Sequence, residues 1–133
     1  MRFYMLSDLH VGESKDVEGS KKKLGKLCAE IRTNPWHDDT VLFVVMGDII
    51  NAGVGAAFED ARECLDYILS ELCEYDVRFE FLPGNHDVLD GDICSFDAFI
   101  SRYHCLHNYG ISGAYSAVYD DVNLIFADSN LNR

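Results

Sequence analysis

The run Val41-Leu42-Phe43-Val44-Val45-Met46 is apolar without a break. A strand with one face in water alternates apolar and polar residues. A run with no alternation suits a central strand covered on both faces, as in sheets built from strand-helix-strand crossovers. Two further strand-like stretches frame it, residues 2–7 before and 77–82 after. Leu24, Leu27, Cys28 and Ile31 recur at helical spacing between the first pair and predict a helix over about residues 20–32, with Ser20 as its N-cap. Lys21, Lys22 and Lys23 fall in its first turn, where the helix dipole disfavours cations, and read as a solvated face. Asn34-Pro35 stops it. Ala57, Ala61, Cys64, Leu65, Ile68, Leu69, Leu72 and Cys73 predict a second, longer helix. The order strand, helix, strand, helix, strand predicts parallel pairing with right-handed crossovers.

The rest of the chain changes character. Ile93, Phe96, Phe99 and Ile100 mark a shorter helix, and residues 114–119 and 122–127 read as a hairpin turning at Asp120-Asp121. At 133 residues the chain is at most one domain, and its 48% hydrophobic content is that of a globular protein. No apolar run reaches the roughly 18 residues of a membrane span, and the N-terminus turns acidic too soon for a signal peptide. The expectation is a cytoplasmic protein with no membrane partner.

A formal net charge of -12 argues against a basic nucleic-acid-binding surface. A nucleic acid or nucleotide then enters only as a substrate handled in a pocket. The cysteines are Cys28, Cys64, Cys73, Cys94 and Cys105, an odd set without a C-x-x-C pair. That spacing predicts neither a zinc knuckle nor a disulfide framework, and the thiols read as buried and reduced.

Chemistry concentrates where the three strands end. Asp8-Leu9-His10 follows the first, Gly47-Asp48 the second and Gly84-Asn85-His86-Asp87 the third; Asp128 follows the hairpin and is a further candidate. In parallel sheets the site lies outside the carboxyl ends of the strands. Residues two apart in an extended segment point the same way, so Asp8 and His10 are placed to share one ion. Asp48 is placed to join that ion to a second, to which Asn85 offers a carbonyl oxygen. Oxygen and imidazole donors suit Mn, Fe or Zn. Two such ions roughly 3.5–4 Å apart can hold a hydroxide and clamp both oxygens of an in-line displacement at phosphorus. Two divalent ions, two carboxylates and a hydroxide sum to about +1, which attracts a phosphate anion. His86 is placed to protonate the leaving alkoxide, and Asp87 to orient His86. Gly47 and Gly84 allow sharp turns beside the ions. Taken singly, each short motif reads as a strand-end cap or a turn; the weight lies in all three standing at strand ends.

These blocks resemble the calcineurin-like metallophosphoesterase superfamily, whose pattern runs Asp-x-His, Gly-Asp-x-x-Asp or Asn, and Gly-Asn-His-Asp or Glu. Here they are Asp8-Leu9-His10, Gly47-Asp48-Ile49-Ile50-Asn51 and Gly84-Asn85-His86-Asp87, within a likeness over residues 2–130. The resemblance implies an α/β fold, a β-sandwich flanked by helices, of which this chain would supply the N-terminal βαβαβ half plus a β-hairpin. It implies Asp8 and His10 on the first metal, Asp48 between the two and Asn85 on the second. His86 would be the acid with Asp87 its partner, and Asn51 would lie outside direct coordination. Asp87, where the protein phosphatase branch has Glu, favours phosphodiesterase-like or small-molecule members.

The later histidine blocks of the family have no counterpart. His104 and His107 precede the hairpin, and they and His37 read as surface or core residues. The expectation is therefore a single domain over residues 1–133, truncated at its C-terminus. The function expected is metal-dependent phosphoester hydrolysis, with a phosphate-ester substrate and two divalent ions. The alternative is a non-catalytic binding or regulatory module on the same scaffold. An incomplete sheet also leaves an open edge that invites self-association or a missing C-terminal segment. Arg62, Arg78 and Arg102 read as exposed charges rather than phosphate contacts.

Overall fold

The computed structural model describes residues 1–12, 17–34, 40–51, 56–88, 93–103 and 114–128. Its centre is the unbroken apolar run Val41 to Met46. Strand β2 (Thr40–Met46) lies between β1 (Arg2–Leu6) and β3 (Asp76–Leu82), and both pairings are parallel. Val41 to Val45 are buried, as a strand covered on both faces requires. Register aligns Tyr4, Phe43 and Phe79 across the sheet, with ring centroids 5.8 and 5.5 Å apart.

Three helices pack into one apolar cluster with this row. Helix α1 (Val17–Thr33) contributes Leu24, Cys28 and Ile31; α2 (Ala56–Glu71) contributes Phe58, Ala61, Cys64, Leu65 and Ile68; α3 (Ile93–Ile100) contributes Phe96, Phe99 and Ile100. A 3-10 turn at Ser101–Tyr103 follows α3 and adds Tyr103. Helix α1 starts earlier than its apolar spacing predicts, so Ser20 is inside the helix and is not its cap. Val17 packs on the core two turns before Leu24, and Glu18 in the first turn suits the dipole. Lys21 is not simply solvated: it pairs with Glu63 of α2 and with Glu18. At the other end of the helix pair, Arg32 donates to the Glu71 backbone carbonyl at 2.7 Å, capping α2. Helix α2 ends at Glu71; Leu72 is buried in the turn beyond it, whereas Leu69 and Cys73 are exposed.

A hairpin covers the other face. Strands β4 (Ala114–Tyr119) and β5 (Val122–Ala127) pair antiparallel, turning at Asp120-Asp121. Ala117, Tyr119 and Phe126 pack with Leu42 and Val44 of β2. The result is a three-stranded parallel sheet with helices and a stacked antiparallel hairpin, the partial sandwich expected. Beside the hairpin a groove of about 310 Å³ is lined by Phe3, Met5, Met46, Leu82, Leu124 and Ile125 among others. No helix among the described residues is long and apolar enough to cross a membrane.

Candidate metal centre

The chain does not leave the sheet cleanly at the ends of β1 and β2. Residues 8–11 continue beside 47–51: the Asp8 N–H donates to the Gly47 carbonyl at 3.2 Å, His10 to Asp48 at 2.9 Å, Val11 to Ile49 at 2.9 Å, and Asn51 back to Val11 at 2.9 Å. Val11, Ile49 and Ile50 are buried in the helix-side core and root both segments there.

Between these anchors the backbone is strained. Asp8, His10 and Asp48 have φ of 53°, 45° and 50°, the left-handed region that L-residues avoid. Each such residue costs of order 1–3 kcal/mol and persists only where its surroundings enforce it, typically at functional sites. Asp8 and His10 therefore converge for a reason other than the one expected, since the segment is not extended. Two left-handed residues flanking Leu9 bring both side chains to one side. Their Asp8 Oδ1 and His10 Nε2 atoms stand 3.7 Å apart. One donor atom each from Asp8, His10 and Asp48 lie within 4.8 Å of one another, with Asp8 and His10 exposed and Asp48 half-buried. Two carboxylates and an imidazole at this spacing form a hard-to-borderline donor set that fits a divalent ion such as Mn, Fe or Zn.

The loop after β3 closes on this cluster. Gly47 has φ of 83°, and a Cβ added to it would lie 2.8 Å from the Gly84 backbone. A Cβ on Gly84 would lie 2.1 Å from Asp48 Oδ1. Both glycines are thus required by the approach of one backbone to the other. The His86 N–H donates to Asp48 Oδ1 at 3.1 Å. Asn85 is exposed, in the turn between Gly84 and His86.

The His86 ring lies edge-on to His10, centroids 5.2 Å apart. Its Nδ1 meets the Asn51 backbone carbonyl. A carbonyl only accepts, so Nδ1 carries the hydrogen and Nε2 is left to exchange a proton. The expected pairing of Asp87 with His86 takes another form. Asp87 is 2% exposed; its Oδ1 accepts the Ile50 N–H at 3.0 Å and its Oδ2 the Gly84 N–H at 2.8 Å. Burial raises its pKa above the ordinary carboxylate value, while the N–H groups of Gly84, Ile50 and Ile49 pull it down. The orienting role expected of Asp87 thus falls to a main-chain oxygen, which no side-chain pattern reveals. Its only trace in the sequence is the fixed distance from Gly47-Asp48 to Asn51.

Other candidates stand apart. Asp128, at the end of β5, does not join the acidic cluster. Arg78, paired with Asp76, and Arg102 are exposed as expected, whereas Arg62, paired with Glu59, is half-buried. His37, His104, His107 and Cys105 lie outside the described residues. Of the described thiols, Cys28 and Cys64 are buried as expected, but Cys73 and Cys94 are exposed.

No curated protein matches the chain. The profile of the calcineurin-like phosphoesterase family matches residues 1–132, nearly its whole length. Parallel strands delivering an Asp/His/Asp cluster to one edge, together with that match, place this chain in the calcineurin-like phosphoesterase family.

Proposed function

We propose that this protein hydrolyses phosphate esters, phosphomonoesters or phosphodiesters, with two divalent ions, manganese being the first to try. The observation that carries the reading is the convergence of Asp8, His10 and Asp48, whose donor atoms lie within 4.8 Å of one another at the strand ends, on backbone held in the left-handed region. In this reading Asp8 and His10 would hold the first ion, Asp48 would serve both and Asn85 would hold the second. When bound, the ions supply Lewis acidity toward a phosphoryl oxygen and acidify water.

The chain's own residues do the rest. His86, its Nδ1–H fixed on the Asn51 carbonyl and its ring beside that of His10, leaves Nε2 as the nitrogen that exchanges a proton. In the imidazolium form Nε2 can give its proton to a departing alkoxide. Asp48 is kept in register with His86 by the N–H that His86 donates to it. The acidic chain repels an anionic substrate except where cations sit, which confines phosphate binding to the loaded site.

The test is hydrolysis of bis-p-nitrophenyl phosphate and p-nitrophenyl phosphate with Mn²⁺, Zn²⁺ or Fe²⁺, set against Asp48→Asn. Turnover that Asp48→Asn abolishes is expected; turnover equal in the two proteins ends the reading. Calorimetry with Mn²⁺ should give a stoichiometry near two. A value near one without turnover supports a binding or regulatory module on the same scaffold.

A further inference from the structure

We infer that Asp87 is a positioning residue: its carboxylate fastens the loop after β3 to the loop after β2, and so sets how far Asn85 and His86 stand from Asp48. The inference deepens the proposed function and rests on it for the identity of the metal ligands.

The two backbone groups that Asp87 accepts are well placed for this. Ile50 follows Asp48 by two residues, and Gly84 immediately precedes Asn85. One oxygen takes the Ile50 N–H and the other the Gly84 N–H, so the carboxylate spans the two loops with one arm on each. The Asp87 N–H returns to the Gly84 carbonyl at 3.2 Å and closes the turn on itself. A buried carboxylate is costly unless its oxygens meet donors, and charge-assisted bonds to main-chain N–H groups are among the stronger ones. An amide cannot replace it, because its nitrogen end would face an N–H.

The tolerance is narrow on both sides of this clamp. Gly84 has no room for even one carbon against Asp48, and Gly47 has none against Gly84. The loops cannot come closer, and Asp87 keeps them from parting. The His86 N–H to Asp48 bond and the His86 ring contact with the Asn51 carbonyl depend on that same separation. Asp87 thus acts on both ligands and acid through the main chain, touching none of their functional atoms.

The experiment compares Asp87→Asn, Asp87→Glu and the distant core variant Ile31→Val with the parent. Mn²⁺ affinity is read by calorimetry and the Gly84 and Ile50 amides by hydrogen exchange. Asp87→Asn should weaken Mn²⁺ binding about 10–100-fold, the usual cost of losing a residue that supports metal ligands. Exchange at those two amides should accelerate selectively, while Ile31→Val keeps parental affinity. Asp87→Asn binding within about twofold of the parent, or losing no more than Ile31→Val, overturns the inference. Should Asp87→Asn not fold, Asp87→Glu decides: its longer arm should weaken Mn²⁺ binding and speed exchange at the same two amides, and parental affinity with parental exchange overturns the inference. Should the parent bind no Mn²⁺, the metal reading fails by itself. The clamp is then judged on exchange alone, and unchanged protection of Gly84 and Ile50 in the variants overturns it.

Discussion

The two faces of the parallel sheet are built to different standards. On the helix side, twenty-two buried residues among those described form one cluster, rich in aromatic contacts such as Phe43 on Phe79 and Phe58 on Phe99. On the hairpin side the buried cluster is Leu42, Val44, Ala117, Tyr119 and Phe126. Glu80 of β3 is buried against that seam and accepts from Tyr119 and Tyr115, while Phe3, Met5 and Met46 remain exposed beside it. The metal loops take their anchors, Val11, Ile49 and Ile50, from the helix side alone. The site thus takes its rigidity from the helix side. Strained residues at its centre need an unyielding base, and the larger core supplies it, while the hairpin seam is free to be thinner and partly polar.

The largest expected effect comes from removing a ring on the helix side. Phe81 is fully buried, its ring about equally far from Phe79, Phe99 and Tyr103, at 5.9, 6.0 and 6.1 Å. Phe81→Ala should cost about 3–5 kcal/mol in urea melts. Phe126→Ala on the seam, beside a groove already open, should cost only about 1.5–3 kcal/mol. Equal losses would break the contrast between the faces. Gly84→Ala comes next: its Cβ must displace Asp48, so about 1–3 kcal/mol of overpacking strain is expected. It should also weaken Mn²⁺ binding, which Phe126→Ala should leave unchanged. A seam variant that weakened the metal as much would show that the hairpin, too, supports the site.

Tyr119→Phe probes the hairpin seam. It removes a hydrogen bond to Glu80 and should cost about 1 kcal/mol. Stability in a fold is local, and units with thin cores open first. Amides of the β4–β5 ladder should therefore exchange faster in this variant, with those of β2 unmoved. Acceleration spread evenly over both would mean that the two faces open together.

The sequence makes the framework plain, and the reason is physical. An unbroken apolar run such as Val41–Met46 has few places to go other than the middle of a sheet, and three strand ends carrying Asp, His and Asn then fall at one edge. Asp120-Asp121 fixes the hairpin to the residue. What it leaves dark is whatever depends on main-chain atoms or on a distant partner. The left-handed turns at Asp8, His10 and Asp48 leave only the weak signal that Asp and His tolerate that region, and the Asn51 carbonyl on His86 leaves none. Asp87 is visible as an acid beside a histidine, but its true donors, Ile50 and Gly84, are backbone groups. Glu80 alternates with Phe79 and Phe81 and shares a face with exposed Arg78; only the hairpin arriving from far along the chain explains its burial.

The smallest effect probes the helix side through its thiols. Cys64 of α2 is fully buried, and its pKa is pushed up from 9.0 to about 11, first by burial; Lys21 opposes the shift, and Glu63, Asp60 and Glu18 add to it. Below pH 9 the thiol is protonated whether the chain is folded or not, and it contributes nothing to pH dependence. Between pH 9 and about 11 the unfolded chain sheds this proton while the folded chain keeps it, so stability must fall as pH rises. Cys64→Ala should flatten that part of the melting curve against pH, and a slope unchanged by the substitution would contradict the assignment. At pH 8 a thiol reagent should modify exposed Cys73 and Cys94 well before buried Cys64 and Cys28. Because Cys64 reacts only when the helix side opens, labelling it as fast as Cys73 would remove the rigid base beneath the strained loops at Asp8, His10 and Asp48.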